Sequence, residues 1–212
     1  MLRFRILHRR ESPHISMCAG SGAPGSVGLR KDDRGAALLE FAISLPLLVV
    51  FVVGIYDFSG AFNQKQKIEQ AAQEGAIIAG AQPMSDIQSI PGSNPDSLQA
   101  VATAVFNSLT GSGVLANGAC VPPGAASGPA GLTWTYTISG CNSAHPNDKL
   151  VITINRGWVT GSGSPMAVGT VVTVQYTYYW QFNSVIQLLF PGPSGYAATT
   201  QLTESATVHN QM

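Results

Sequence analysis

The stretch RGAALLEFAISLPLLVVFVVGIYDF, residues 34–58, determines the fold expected for this protein, because it is typical of a helix that crosses a membrane. Between residues 36 and 58 the only charged side chains are Glu40 and Asp57. A helix over this range is roughly 35 Å long at ~1.5 Å rise per residue, which is enough to cross a hydrocarbon core of ~30 Å. We therefore predict a transmembrane helix at 36–58.

Charged residues are distributed unevenly around this helix. Residues 1–35 carry seven Lys and Arg and three Asp and Glu, a net charge of +4. The whole chain has 11 of each kind, so the remainder carries four against eight, or −4. Basic residues on one side of a span favour a cytoplasmic location for that side. We therefore predict a cytoplasmic leader at 1–35 and an exported, periplasmic domain at 59–212, anchored once in the inner (cytoplasmic) membrane.

Other interpretations of the N-terminal region are weaker. A helix buried in a soluble core is disfavoured because the segment is apolar on all sides and basic residues flank only one end. A cleaved secretory signal has an apolar region of only 7–15 residues followed by a small-x-small cleavage site, and no such site follows here. Basic residues beside a span more often orient it than bind nucleic acid, so no nucleic-acid partner is expected. The sequence leaves open whether translation starts at Met1 or Met17.

Glu40 is an unusual residue in such a helix. It lies about one turn inside Ala36, and a carboxylate costs about 2.5–3.5 kcal/mol at the centre of a span and less near the interface. An acidic residue inside a membrane segment predicts a functional role and a positively charged partner. The alternative is that the side chain extends toward the headgroups or toward Arg34, which requires no function.

The residues around Glu40 resemble the processing site of type IV pilin-like precursors, in which a basic leader and a Gly precede an apolar helix with Glu as its fifth residue. In this sequence the motif is RGAALLEF. The resemblance implies that a prepilin peptidase cuts on the cytoplasmic side, between Gly35 and Ala36. It also implies that Glu40 meets the new amino group of a neighbouring subunit.

The wider pattern over residues 34–80 is similar to the TadE-like family of tight-adherence pilus assembly. Pro46 removes a helix hydrogen bond and predicts a kink, which fits a helix packed among other pilin helices. Gln73 stands where the family usually has Arg. The residues that carry the resemblance are Arg34, Gly35, Glu40, Phe41, Pro46, Asp57, Phe58 and the stretch 71–76.

Two helices are predicted from apolar spacing and end signals. The first continues the span into the exported domain and ends at the Gln-Pro pair 82–83. The second covers 93–111, with Ser93 or Asn94 as its cap and Pro95 in its first turn. The stripes expected to be buried are Ile68, Ala71, Ala72, Gly75, Ile78 and Ala79 in the first helix and Leu98, Val101, Ala102, Val105 and Leu109 in the second.

The remaining sequence changes to an apolar period of two and is rich in Thr, Val, Tyr and Ile, which predicts an antiparallel sheet of four strands packed on the helices. The Gly- and Pro-rich segments 118–131 and 157–165 are expected to be flexible connections. The predicted fold class is therefore α+β and pilin-like. The four strands are expected at 133–139, 149–156, 169–180 and 196–209.

Two of the three cysteines, Cys120 and Cys141, flank the first predicted strand on the exported side. An oxidising compartment allows them to pair and to close a Gly- and Pro-rich loop that builds little core of its own. Two free thiols are the alternative. Cys18 lies in the leader and is expected to stay reduced.

The sequence holds no recognisable catalytic pattern: G-x-S-x-G, H-E-x-x-H and Walker motifs do not occur. The stretch 145–148 (HPND) lacks a second His or Cys pair nearby and is expected to be a polar turn. We therefore expect no enzymatic activity, no cofactor or metal site, and no small-molecule substrate.

The function predicted from the sequence is that of a minor pilin-like (pseudopilin) component for assembly of a tight-adherence, Flp-type pilus or a related secretion system. Its expected partners are membrane lipid, a prepilin peptidase, other pilins and pilus platform proteins. The alternative is a membrane-tethered periplasmic ligand-binding module without a pilus role, which would keep residues 1–35 and hold a ligand pocket in its sheet. A major pilin is disfavoured because the exported domain is large.

Overall fold

A computed structural model describes the chain in two compact units, residues 1–43 and 44–212. In the first unit the described part is residues 33–43, so most of the predicted leader lies outside the described residues. The described ranges are 33–87, 94–115, 120–142, 144–160, 167–182 and 199–211.

Helix α1 spans Asp33–Ala81 and is continuous through Pro46. It ends just before the predicted Gln-Pro pair, because proline at 83 cannot continue a helix. Its N-terminal part is exposed, whereas from Ala61 onward one face is buried. The predicted stripe is confirmed: Ile68, Ala71, Ala72, Gly75 and Ala79 are buried and Ile78 is partly buried.

Helix α2 spans Asp96–Gly111, and its predicted stripe is also confirmed, since Leu98, Val101, Ala102, Val105 and Leu109 are all fully buried. The predicted cap is wrong. Pro95 takes the N-cap position, and no side chain caps the helix there.

Asn94 has a different role from capping. Its Oδ1 accepts hydrogen bonds from the Tyr136 hydroxyl at 2.8 Å and from the Ala126 backbone N–H at 3.3 Å. Its amide also donates to the Gln99 side chain at 2.7 Å. Ser93, the other predicted cap, lies outside the described residues. Asn94 therefore joins the start of α2 to the sheet.

The sheet has five strands in the order β1-β2-β3-β4-β5, and every neighbouring pair is antiparallel. The prediction of four strands was one too few. Residues Ser127–Ala130, which lie in the segment 118–131 expected to be a flexible connection, form a strand that pairs with the outer edge of the following strand. The strands are β1 (Ser127–Ala130), β2 (Thr133–Ser139), β3 (Lys149–Thr160), β4 (Ala167–Tyr179) and β5 (Thr199–His209).

Strand β3 is longer than predicted, because it continues past Gly157 into a second segment expected to be a connection. The pairing with β4 shifts register between Asn155 and Trp158, so the strand accommodates an irregularity there. The Asn155 Oδ1 accepts a hydrogen bond from the Gly157 N–H at 2.9 Å, which supports this irregularity locally. The rest of the predicted connection, 161–165, lies outside the described residues, as does the start of the last predicted strand at 196–198.

The core lies between the two helices and one face of the sheet. Close contact at Gly75 shows how tightly they pack: a Cβ there would collide with Val105 Cγ2 of α2 and lie 3.3 Å from Val172 Cγ1 of β4. The residues that the sheet contributes alternate along each strand, as expected for one buried face: Trp134, Tyr136, Ile138, Leu150, Ile152, Ile154, Val172, Val174 and Tyr176.

Candidate functional site

The predicted cleavage position lies in the first turn of α1. Gly35 and Ala36 are both exposed, and a Cβ added to Gly35 would meet no atom within 4 Å. Glycine normally costs a helix roughly 0.5–1 kcal/mol relative to alanine. Nothing within the described chain therefore requires glycine at this position.

The three predicted assembly residues lie further along the same helix. Glu40 is about one turn, roughly 6 Å, beyond Ala36. Glu40, Phe41 and Pro46 are all exposed. Gly35, Ala36, Glu40 and Phe41 thus lie on one exposed stretch of the first unit, and Pro46 is exposed in the second unit.

The apolar side chains of this stretch form an uncovered surface. Within the described residues, α1 is the one helix long and apolar enough to cross a membrane, and none of its most apolar window is buried. Such a surface is unfavourable in water and requires lipid or another protein. The large exposed residues are Leu38, Leu39, Phe41, Ile43, Leu45, Leu47, Leu48, Val49, Phe51, Val52, Ile55, Tyr56 and Phe58.

Asp57, at the end of this apolar surface, is buried, with only 2% of its surface exposed. Its Oδ1 accepts a hydrogen bond from the Tyr178 hydroxyl at 2.9 Å, and its Oδ2 accepts one from the Phe182 backbone N–H at 2.8 Å. The same hydroxyl lies 3.2 Å from the Asp57 carbonyl oxygen. The carboxylate therefore fastens the end of β4 to α1.

Tyr178 is held as a hydrogen-bond donor at this junction. Burial, the hydrogen bond to Asp57 and the charge of Asp57 raise the pKa of Tyr178 to about 12, so the phenol stays protonated near neutral pH. Gly60, one turn after Asp57, makes room for it, since a Cβ there would lie 3.1 Å from the Tyr178 hydroxyl oxygen.

Arg156 closes the other end of α1. The side chain is fully buried, and its Nη2 and Nη1 donate to the carbonyl oxygens of Gln82 and Pro83 at 2.8 and 3.4 Å. Burial lowers the pKa of Arg156, and the charge of Asp86 opposes that shift. This cation satisfies two carbonyls just beyond the last residue of α1, at the negative end of the helix dipole.

The packing of this chain requires a glycine at Gly75 in the AAQEGA stretch, since α2 and β4 approach it too closely for a side chain. Its neighbours Gln73 and Glu74 are exposed on the opposite face. Gln73 donates only a weak hydrogen bond, at 3.4 Å, to Glu69 on the same helix. The Gln in place of Arg therefore leaves the packing of α1 unaffected.

The structure joins Cys120 and Cys141 as a disulfide with Cα atoms 4.4 Å apart. The bridge connects the segment before β1 to Cys141, which lies two residues beyond the end of β2. The half-cystine at 141 is buried in the core cluster, and the one at 120 is packed against it. Pairing in the exported protein stays a prediction.

The stretch 145–148 forms a turn in which Asp148 N–H donates to the His145 carbonyl at 3.0 Å. The His145 ring stacks on Tyr179 with centroids 3.7 Å apart, and the Tyr179 hydroxyl donates to Asp148 at 2.6 Å. Among the described residues no group of three His, Cys, Asp or Glu side chains is placed to hold a metal ion.

Most of α1 matches the model of a known protein family. Residues 35–76 match the model of the TadE-like protein family. We call residues 35–76 the TadE-like segment. The TadE-like segment begins at the predicted cleavage position and ends at the close contact with α2. No curated protein and no solved structure matches the chain.

The sequence predictions missed the distant residues that contact Asp57 and the residues just after α1. Tyr178 and Phe182 are 121 and 125 residues from Asp57, and Arg156 is 74 from Gln82. One signal was available: an acid at the end of an apolar helix requires a donor, and among the described strands β4 ends in several aromatic residues that include phenols.

Proposed function

We propose that the protein is a membrane-anchored, pilin-like component that assists the assembly of a tight-adherence pilus or a related secretion system. The observation that carries this proposal is that the TadE-like segment coincides with most of α1. The N-terminal part of that helix is apolar and uncovered, while its C-terminal part is packed in the core of an α+β domain.

The anchor in this proposal is residues 36–58, with the N-terminus in the cytoplasm and residues 59–212 in the periplasm. The excess of basic residues before the helix supports this orientation. A role in assembly rather than catalysis stays an expectation from the sequence, in which G-x-S-x-G, H-E-x-x-H and Walker motifs do not occur.

A prepilin peptidase is the first proposed partner, and Gly35 is its proposed recognition residue. Support comes from the exposure of Gly35 and Ala36 and from the open space around Gly35. Because the chain's own packing does not need glycine there, we attribute the requirement to the active site of the peptidase. After cleavage, other pilins and platform proteins are the proposed partners of the exposed helix.

Deletion of the gene tests this function. We expect the deletion strain to lose most of its surface pili, counted by electron microscopy and by the pilin sheared from cells, and to recover them when the full-length gene is restored. A strain lacking the secretion ATPase of the same system is the control for complete loss.

The alternative of a tethered ligand-binding module predicts a different result. Pili would be normal in the deletion strain, and the protein in membranes would retain residues 1–35. Normal piliation in the deletion strain would therefore overturn the proposed role.

A further inference from the structure

Four aromatic residues from two distant parts of the sequence meet where the apolar surface of α1 ends. Phe58 and Phe62 are 67% and 57% exposed and lie one turn apart on the same side of the helix. The Trp180 ring lies against Phe58, with centroids 5.9 Å apart. Phe182 lines a groove together with Phe58 and Phe62. We call these four residues the aromatic patch.

The aromatic patch is continuous with the apolar surface. The groove beside Phe182 is almost entirely apolar and extends back along α1 to Phe51 and Ile55. The patch thus extends the uncovered apolar surface by about one turn beyond Asp57. This extension includes residues of the sheet domain as well as of the helix.

The contacts of Asp57 hold the patch in place. Its carboxylate accepts the Phe182 N–H and the Tyr178 hydroxyl, so the chain just after β4 is fixed beside the helix. The Tyr178 and Trp180 rings meet edge to face with centroids 5.2 Å apart. The patch is therefore part of the folded domain.

The charge distribution around the patch favours lipid as its partner. Between Phe41 and Gln64 the one charged residue is Asp57, which is buried, and residues 167–182 contain none. The first exposed charge after Phe62 is Lys65, which pairs with Glu204 at 3.3 Å. An uncharged aromatic zone between an apolar helix and the first lysine matches the order of layers from acyl chains through headgroups to water.

Trp180 has the chemistry of an interfacial residue. Its ring is partly exposed, and its Nε1 donates to the Thr200 hydroxyl at 2.7 Å, so the polar edge is satisfied within the protein. Amphipathic rings of Trp and Tyr concentrate at the level of the headgroups. Tyr56 of α1, which is 77% exposed and lies two residues before Phe58, adds a second amphipathic ring in addition to that of Trp180.

We propose that the aromatic patch is a lipid-contact surface that seats the β4 end of the exported domain in the headgroup layer of the membrane. This inference depends on membrane anchoring through α1 and not on a role in pilus assembly. The contact fixes how closely the sheet domain approaches the bilayer while the protein resides in the membrane.

Quenching of tryptophan fluorescence by brominated lipid tests the proposal on the full chain. The protein is placed in vesicles of phosphatidylcholine brominated high on the acyl chain. The three tryptophans differ in position: Trp134 is buried in the core, Trp158 pairs with Gly169 at the far end of β4, and Trp180 is in the patch. We expect brominated lipid to quench the wild type, and Trp180→Phe to lose most of this lipid-dependent quenching.

Two matched variants separate the patch from general effects. Trp158→Phe removes a tryptophan far from the patch and should keep wild-type quenching. Thr200→Val removes the same hydrogen bond as Trp180→Phe but keeps the indole ring of Trp180, so brominated lipid should still quench its tryptophan fluorescence as in the wild type. The proposal is overturned if Trp180→Phe is quenched like the wild type, or if membrane-embedded wild-type protein is not quenched by brominated lipid at all.

Discussion

Replacing Glu40 with glutamine is expected to abolish pilus assembly while leaving membrane insertion and cleavage after Gly35 intact. In the proposed processing, cleavage would create an ammonium at Ala36, and a neighbouring subunit shifted along the axis would present that ammonium to Glu40 in a medium of low dielectric constant. The ion pair offsets the desolvation of both charges, whereas either charge alone is costly. Loss of the carboxylate therefore removes both the pair and the axial register that it fixes.

The measurement is the amount of sheared surface pilin, together with co-purification of the protein with pilus partners. Glu40→Gln should fall to the level of a deletion strain, and Glu40→Asp should be intermediate because its side chain is shorter. Glu69→Gln is the matched control, since Glu69 is an exposed acid on the same helix outside the apolar stretch. Normal assembly by Glu40→Gln would show that the carboxylate only extends toward the headgroups.

The second large effect is expected at Asp57. Asp57→Ala removes the acceptor of two hydrogen bonds, from the Tyr178 hydroxyl and the Phe182 N–H. Hydrogen bonds to a charged group contribute roughly 1.5–3 kcal/mol each, so the loss of two should lower the free energy of unfolding by about 3–6 kcal/mol. For a domain of this size that corresponds to a decrease in Tm of roughly 6–24 °C.

Thermal unfolding of the detergent-solubilised protein measures this effect. Glu74→Ala removes an exposed acid from the same helix and is expected to change stability by less than about 0.5 kcal/mol. Asp57→Asn should fall between the two, because the amide keeps one acceptor but loses the charge. A Tm for Asp57→Ala equal to that of Glu74→Ala would mean that the junction contributes nothing to stability.

The helices and most of the sheet could be predicted because their signals are local. Strand β2 matches its prediction at both ends, since a clear period of two is bounded by Gly and a polar turn. The stripe of α2 was predicted residue by residue from its spacing of three and four. In both elements, local preference and tertiary packing favour the same conformation.

Two parts of the sheet could not be predicted because pairing overrides propensity there. Strand β1 has the sequence SGPA, which no strand preference favours. It forms because β2 offers an unpaired edge, and the Ser127 hydroxyl also donates to the Thr135 carbonyl at 3.1 Å. Strand β3 likewise continues through Gly157 because β4 remains beside it.

The positions of the proposed site residues on α1 could be predicted, whereas the contacts that the sheet makes with α1 could not. Gly35 and Glu40 lie in a short motif, so their positions follow from sequence spacing alone. Tyr178 is joined to Asp57 by the fold: the sequence indicates that Asp57 needs a donor, but it does not determine which distant residue supplies it. The capping of α1 by Arg156 was missed for the same reason.

The mass of the N-terminal peptide of the mature protein tests the central claim, that α1 is a pilin-type anchor released from its leader by cleavage. Protein extracted from membranes and digested is analysed by mass spectrometry, with a strain lacking the prepilin peptidase and a Gly35→Val variant as controls. The Gly54→Val variant is the matched control, since Gly54 is also helical with no atom within 4 Å of an added Cβ. We expect a chain beginning at Ala36 in the wild type and in Gly54→Val, and an uncut leader in the other two. A wild-type N-terminus at Met1 or Met17 would contradict the account.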